Sequence, residues 1–433
     1  MYSDQIRQTL EEEKIEVGDR VKVNGREGKL MPKPENGDPE TVILKLDSGY
    51  NIGLETEEIK LIEKAEKGGE GQTSVEHSED KPDILVLHTG GTIASRVSYE
   101  EGGVKPAFDP EDLLEMYPEL GELCNLHSKV VAQMLSEDME PEHWQEIAEK
   151  IDEEKDNYDG IIVGHGTDTM QYTGAALSLM LQNIDQGVIL VGSQRSSDRP
   201  SSDAAMNLYS AVKFLEETDF RGIGTCMHST VNDHECSIMP ASKIRKMHTS
   251  RRDAFETVNA ERIGRVDYQE NEVEREKDTD RSGDYEPKFE LDTEVGYIKI
   301  RPGMEPEELD WIREKEYNGV IIEGTGLGHM PVNSFDDKTQ HHEKILEKVS
   351  EIAEDAVVVM ASQCIKGRTN MNVYDAGLKI QEAGVIEAKD MHPELAYVKL
   401  MWALGQGGDL EEAEEIFQSN VAGEIQERSI YNE

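Results

Sequence analysis

The sequence predicts an α/β protein: a small N-terminal antiparallel β-barrel, then a two-domain fold of parallel sheets flanked by helices, the second sheet smaller than the first. Three observations predict it. Two short β-branched runs bounded by glycine, residues 84–87 and 160–163, have the composition of strands covered on both faces. Each leads into a glycine-threonine turn, Thr89-Gly90-Gly91-Thr92-Ile93-Ala94-Ser95 and Gly164-His165-Gly166-Thr167-Asp168-Thr169. Ahead of residue 83, apolar and polar residues instead alternate in short runs separated by turn residues, the pattern of a closed antiparallel barrel.

Taken in order, residues 17–23, 26–30, 41–46 and 50–54 supply the barrel strands, so a first domain is expected over 1–63. Residues 64–82 are rich in Glu, Lys, Gly and Ser with almost nothing apolar, which predicts a flexible linker. The first α/β domain is expected over 83–266. A second charged stretch, 267–292, has the composition of another linker, joining the two halves of the α/β region. Beyond it, apolar runs at 295–300, 319–322 and 356–360 alternate with helical segments near 306–316 and 342–353, which predicts the smaller parallel sheet over 293–433.

The two turns carry the chemistry. Open α/β sheets bind their ligands at strand ends, and glycine lets backbone N–H groups approach a ligand closely. A threonine hydroxyl is a weak nucleophile at neutral pH, so it needs a group to take its proton and donors to hold an oxyanion. Asp168 adjoins Thr167, and the basic stretch from Lys243 to Arg252 offers a lysine that a carboxylate and a hydroxyl can hold out of water. One such turn alone is an ordinary strand-to-helix connection with a capping threonine. Two in one chain, one reading His-Gly-Thr-Asp-Thr, point to a paired site.

These motifs resemble those of the amidohydrolases with the bacterial-type L-asparaginase fold, from about residue 84 to the end of the chain. The resemblance implies Thr92 as nucleophile, Tyr99 as the tyrosine of a mobile lid, and Thr167, Asp168 and Lys246 as a second triad. It implies Ser136, in Leu135-Ser136-Glu137-Asp138-Met139, as a substrate-binding serine working with Asp168, and the backbone of Gly91 and Gly166 around the reacting carbonyl. It also implies a homodimer with the site near the interface. With the barrel in front, the chain is similar to the archaeal amidotransferase subunits of this fold. That likeness implies glutamine as substrate, with ammonia passed to an E subunit that uses ATP and Mg to amidate glutamate carried on tRNA(Gln). No cofactor or metal is then expected on this chain, and no phosphate-binding Gly-x-x-x-x-Gly-Lys-Ser/Thr loop occurs in it. Two other readings are a free L-asparaginase or glutaminase, which needs no barrel, and a non-catalytic docking subunit.

Charge and cysteine usage set further bounds. The chain carries 91 acidic against 45 basic residues, a net charge of −46 spread along its length. Such a surface repels nucleic acid over most of its area and is expected of a protein adapted to a salt-rich cytoplasm, where screening shortens to about 3 Å at 1 M salt. The one dense cationic run, 243–252, reads either as an RNA contact or as a catalytic lysine among arginines paired with carboxylates. Four cysteines without a disulfide-like framework, and an N-terminal segment unlike a signal peptide, point to a cytoplasmic protein. Cys226-Met227-His228 and His234-Glu235-Cys236 bring two Cys/His pairs close in sequence. Their spacing is tighter than that of zinc motifs, so buried cysteines beside a hydrogen-bonded histidine are expected there.

Overall fold

The computed structural model describes residues 3–16, 18–31, 38–46, 51–55, 59–64, 77–91, 95–97, 104–106, 110–196, 201–277 and 283–428. After helix α1 (Asp4–Glu12), strands β1 (Arg20–Val23), β2 (Arg26–Leu30), β3 (Thr41–Lys45), β4 (Asn51–Glu55) and β5 (Ile59–Glu63) form an antiparallel sheet in the order β4-β3-β2-β1-β5. Alternation does here what it predicts: Val21, Val23, Leu30, Val42, Leu44 and Ile59 turn inward around Ile6 and Ile15, while Lys22 and Lys29 face water. Lys45 Nζ donates to the carbonyl of Met116, tying this sheet to the next domain.

The larger sheet begins with β6 (Asp83–Gly90), and a short hairpin, β7 (Ser95–Val97) with β8 (Val104–Pro106), follows it. The sheet continues through β9 (Asn125–Met134), β10 (Gly160–Gly164), β11 (Gly187–Val191), β12 (Gly222–His228), β13 (Glu235–Pro240), β16 (Gly264–Asp267) and β17 (Glu272–Arg275); a second hairpin, β14 (Ile244–Lys246) with β15 (Phe255–Thr257), interrupts it. Its order is β17-β16-β13-β12-β11-β10-β6-β9, parallel from β9 to β12 and antiparallel from there to β17. Helices α2 (Pro110–Met116), α3 (Leu120–Leu123), α4 (Pro141–Glu154), α5 (Met170–Met180) and α6 (Ala204–Glu217) connect these strands. The stretch 267–292, whose composition suggests a linker throughout, contributes β17 to this sheet. The charges of β17 are met from neighbouring strands and loops, Arg265 pairing with Glu274 at 2.8 Å and Arg275 with Asp219.

The smaller sheet is wholly parallel: β18 (Val295–Lys299), β19 (Gly319–Gly324), β20 (Val357–Ser362) and β21 (Val385–Glu387), in that order. Helices α7 (Asp310–Glu314), α8 (His342–Ala353), α9 (Asp375–Glu382), α10 (Pro393–Gly405) and α11 (Leu410–Gln418) complete the domain. Helix α5, buried along every residue but Tyr172, packs against α10, and one core holding Leu85, Ile161 and Leu177 with Val357, Val359, Leu395 and Trp402 runs through both sheets. The two α/β domains are therefore locked by buried apolar area, and residues brought from one to the other sit on rigid supports. Among the described residues, no helix is long and apolar enough to cross a membrane.

Candidate active site

The two turns meet because their strands are neighbours in register. In the parallel pair β6–β10, His88 lies opposite Gly164, so β10 ends two residues short of the end of β6 and the two turns start side by side. Thr89 Oγ1 donates to the carbonyl of Gly164 at 3.0 Å. Gly90 and Gly91 have φ of 110° and 80°, a region that favours glycine. A side chain on Gly91 would place its Cβ 2.7 Å from the backbone N of Gly166, so at this point the turns meet backbone against backbone. Thr92 and Tyr99 lie outside the described residues.

The second turn is fixed from below by His165. Its Nδ1 faces the carbonyl of Gly166 at 2.6 Å, and its Nε2 faces Thr173 Oγ1 of α5 at 2.8 Å. A carbonyl only accepts, so Nδ1 carries the hydrogen and Nε2 accepts from the Thr173 hydroxyl. Burial lowers the imidazole to a pKa of about 4, against the backbone bond that favours the charged form. The folded state thus needs His165 neutral, while the unfolded chain protonates it near 6.5. The resulting share of stability is full above pH 6.5 and is lost as pH falls through about 4. It amounts to about 3 kcal/mol. Unfolding free energies measured at pH 7 and pH 4 should differ by that much more in the parent than in His165→Gln; equal differences would refute the assignment.

Lys246, at the end of β14, is the sequence-predicted lysine and reaches the turn from 79 residues away. Its Nζ donates to Thr167 Oγ1 at 2.8 Å and to Asp168 Oδ1 at 2.6 Å. Ser136 stands beside them: its Oγ accepts from the backbone N–H of Asp168 at 3.3 Å, and its carbonyl accepts from Thr169 Oγ1 at 2.7 Å. Gly166 presses on Ser136, since a Cβ there would come within 2.8 Å of its Oγ. The structure therefore brings Gly91, Ser136, Gly166, Thr167, Asp168 and Lys246 to one place. The Lys246 side chain is 10% exposed and that of Asp168 is 65% exposed, so the hydroxyl and the ammonium sit at the wall of the site and the carboxylate at its mouth.

Every other cation of the basic run, Lys243, Arg245, Arg251 and Arg252, has a carboxylate partner in Asp390, Glu394, Asp253 and Asp233 respectively. That is the arrangement of a lysine among paired arginines, and it leaves little net positive charge to attract a phosphate backbone. Of the two Cys/His pairs, Cys226, Cys236 and His228 are buried and His234 is exposed. Cys236 Sγ lies 3.4 Å and His228 Nδ1 2.6 Å from Asn207 Oδ1, so the histidine serves a hydrogen-bond network next to α6. Sequence reasoning missed the roles of His165 and Thr173. The His-x7-Thr spacing across a strand-turn-helix unit was the available signal.

Family comparisons agree with this geometry. The asparaginase N-terminal domain matches residues 83–279, the glutaminase/asparaginase C-terminal domain residues 294–417, and the GatD N-terminal domain residues 15–64. The thermostable L-asparaginase from Thermococcus kodakarensis superposes with a TM-score of 0.70 at 35% identity, over 80% of this chain and 100% of that one. L-asparaginase I from Vibrio cholerae gives 0.67 at 29%, over 80% and 99%. Fold and site together define an amidohydrolase of the asparaginase class. Full-length relatives narrow this: the glutamyl-tRNA(Gln) amidotransferase D subunit of Methanopyrus kandleri is 41% identical over 98% of this chain and 95% of its own, and that of Pyrococcus furiosus 42% over 97% of each. The chain belongs to the family of glutamyl-tRNA(Gln) amidotransferase D subunits.

Proposed function

We propose that this chain hydrolyses glutamine through a threonyl acyl-enzyme and supplies the ammonia to a partner subunit, GatE, which uses ATP and Mg to convert Glu-tRNA(Gln) to Gln-tRNA(Gln). The observation that carries the reading is the position of Lys246 Nζ, within hydrogen-bond reach of both Thr167 Oγ1 and Asp168 Oδ1 beside the paired turns. Thr92 Oγ attacks the side-chain carboxamide carbon and Tyr99 helps to take its proton. Backbone N–H groups of the glycine turns, Gly91 and Gly166 among them, hold the oxyanion; a single such donor is worth about 3–4 kcal/mol. The C–N bond breaks, ammonia leaves with the proton, and an ester links Thr92 to the glutamyl group. Thr167 then orients and helps deprotonate water, with Lys246 as the proton acceptor once it has shed its own proton, and water attack releases glutamate and restores Thr92. Ser136 and Asp168 hold the α-carboxylate and α-amine of the substrate.

Two copies of this chain pair with the sites near their interface, and most tRNA recognition resides on GatE. The acidic surface and the carboxylate-paired arginines support that division. The test is ammonia release from glutamine and from asparagine in high salt, by the chain alone and then with GatE and glutamyl-tRNA(Gln), with Thr92→Ala as blank. Slow release alone, rising at least tenfold with partner and charged tRNA, is expected. Full-rate asparagine hydrolysis indifferent to both would make the chain a free asparaginase.

A further inference from the structure

Lys246 sits on a strand of three residues, and its neighbours hold that strand from the far side. Successive strand residues face opposite ways, so Arg245 points away from the side on which Lys246 meets Thr167 and Asp168. Arg245 Nε and Nη2 reach Glu394 Oε1 at 2.9 and 2.7 Å. Just ahead of the strand, Lys243 Nζ meets Asp390 Oδ2 at 2.7 Å, in surroundings where neither side chain sees more than 1% of its surface exposed. Asp390 is itself pinned, its Oδ1 accepting from the backbone N–H of Gln426 at 3.0 Å and its carbonyl from Asn259 Nδ2 at 2.8 Å. Both acidic partners lie between β21 and the first turn of α10, in the domain that supplies none of the groups gathered around Thr167.

Buried ion pairs are a poor source of stability compared with apolar packing, but breaking one leaves a charge uncompensated, so the pair resists any movement that separates it. From the placement of these two pairs we infer that Arg245 and Lys243 are positioning residues, through which the C-terminal domain sets where Lys246 stands against Thr167 and Asp168. A strand this short, released from Glu394, shifts or twists, and contacts of 2.6 to 2.8 Å do not survive a displacement of an ångström. This inference rests on the reading of Lys246 as a catalytic lysine.

The experiment uses the full-length chain and measures kcat and KM for ammonia release from glutamine together with the melting temperature. Arg245→Met is expected to lower kcat about ten- to a hundredfold with KM within about twofold, and Arg245→Lys, which keeps the charge and a donor, to recover part of the loss. Unchanged kcat in Arg245→Met, with or without a lower melting temperature, overturns the inference. Should that variant not fold, Glu394→Ala releases the strand from the other side and leaves a partly exposed arginine that water can satisfy; the same kcat loss is expected, and unchanged kcat again overturns the inference. Lys246→Met, assayed in parallel, separates the two ideas. If it is inactive while Arg245→Met and Glu394→Ala work normally, only the positioning role fails; if it retains activity, the catalytic reading of Lys246 fails and takes the positioning role with it.

Discussion

Lys246→Met is expected to reduce glutamine hydrolysis by about three orders of magnitude or more while shifting the melting temperature by only a few degrees. The asymmetry follows from where the lysine sits. Its ion pair is with Asp168, a carboxylate 65% exposed, and such pairs contribute no more than about 1 kcal/mol to stability. Methionine keeps the length and most of the volume of the lysine stem, so packing along β14 changes little. What is lost is the group in contact with the Thr167 hydroxyl, at 2.8 Å, and with it the acceptor for a proton from Thr167 or the water it orients. Thr167→Val should fall to a similar rate. Because the two act as a unit, the double variant should be little worse than either single one. Steady-state kinetics with a thermal melt on the same preparations check this, and a variant whose activity falls only in proportion to its folded fraction would refute it.

Gly91→Ala is expected to cost activity at least a hundredfold and to destabilise the fold. The backbone here has φ of 80°, where an added Cβ costs about 1–2 kcal/mol whatever surrounds it. Steric contact costs more: the new methyl would lie 2.7 Å from the N and 2.9 Å from the Cα of Gly166, and backbone cannot turn aside as a side chain does. The turns must part, which moves the first turn away from Thr167, Ser136 and Lys246, and a displacement of about 1 Å at a reacting site is worth about a hundredfold in rate. Gly303→Ala is the control, with φ of 77° and open space where its Cβ would stand. It carries the backbone strain without the clash. Equal loss of activity in both variants would show that the junction of the turns does not matter.

What the sequence makes legible is local. Ile161-Ile162-Val163 between glycines announces a covered strand because β-branched residues suit a pleated surface and nothing in the run wants water. The turn after β6 is readable because few residue types besides glycine tolerate the φ of Gly90 and Gly91, and the turn after β10 because a Cβ on Gly166 would strike Ser136. The smaller sheet is readable at β18, β19 and β20, whereas β21, three residues long, is too brief for a periodic signal. Strand β17 is hidden for a different reason. Glu272, Glu274 and Arg275 look like solvated linker until Arg265 and Asp219 meet two of them, and Asp219 is distant in sequence. At the site, Thr167 and Asp168 follow from motif and chemistry and Lys246 from the family resemblance, but Arg245–Glu394 and Lys243–Asp390 join residues 149 and 147 positions apart, and no local pattern foretells which carboxylate a cation will find.

The fully enclosed pair Lys243–Asp390 answers dissolved salt differently from the charges of the surface. Dissolved ions surround Arg313 and Glu351, both largely exposed, and weaken their attraction as the bath grows saltier. They cannot enter the seam between the sheets. Added salt would weaken such surface pairs and reach the Lys246–Asp168 contact, whose carboxylate is 65% exposed, while leaving Lys243–Asp390 untouched. The junction of the two domains thus keeps its electrostatic clamp over a range of ionic strength in which the encounter rates set by the net charge of −46 change.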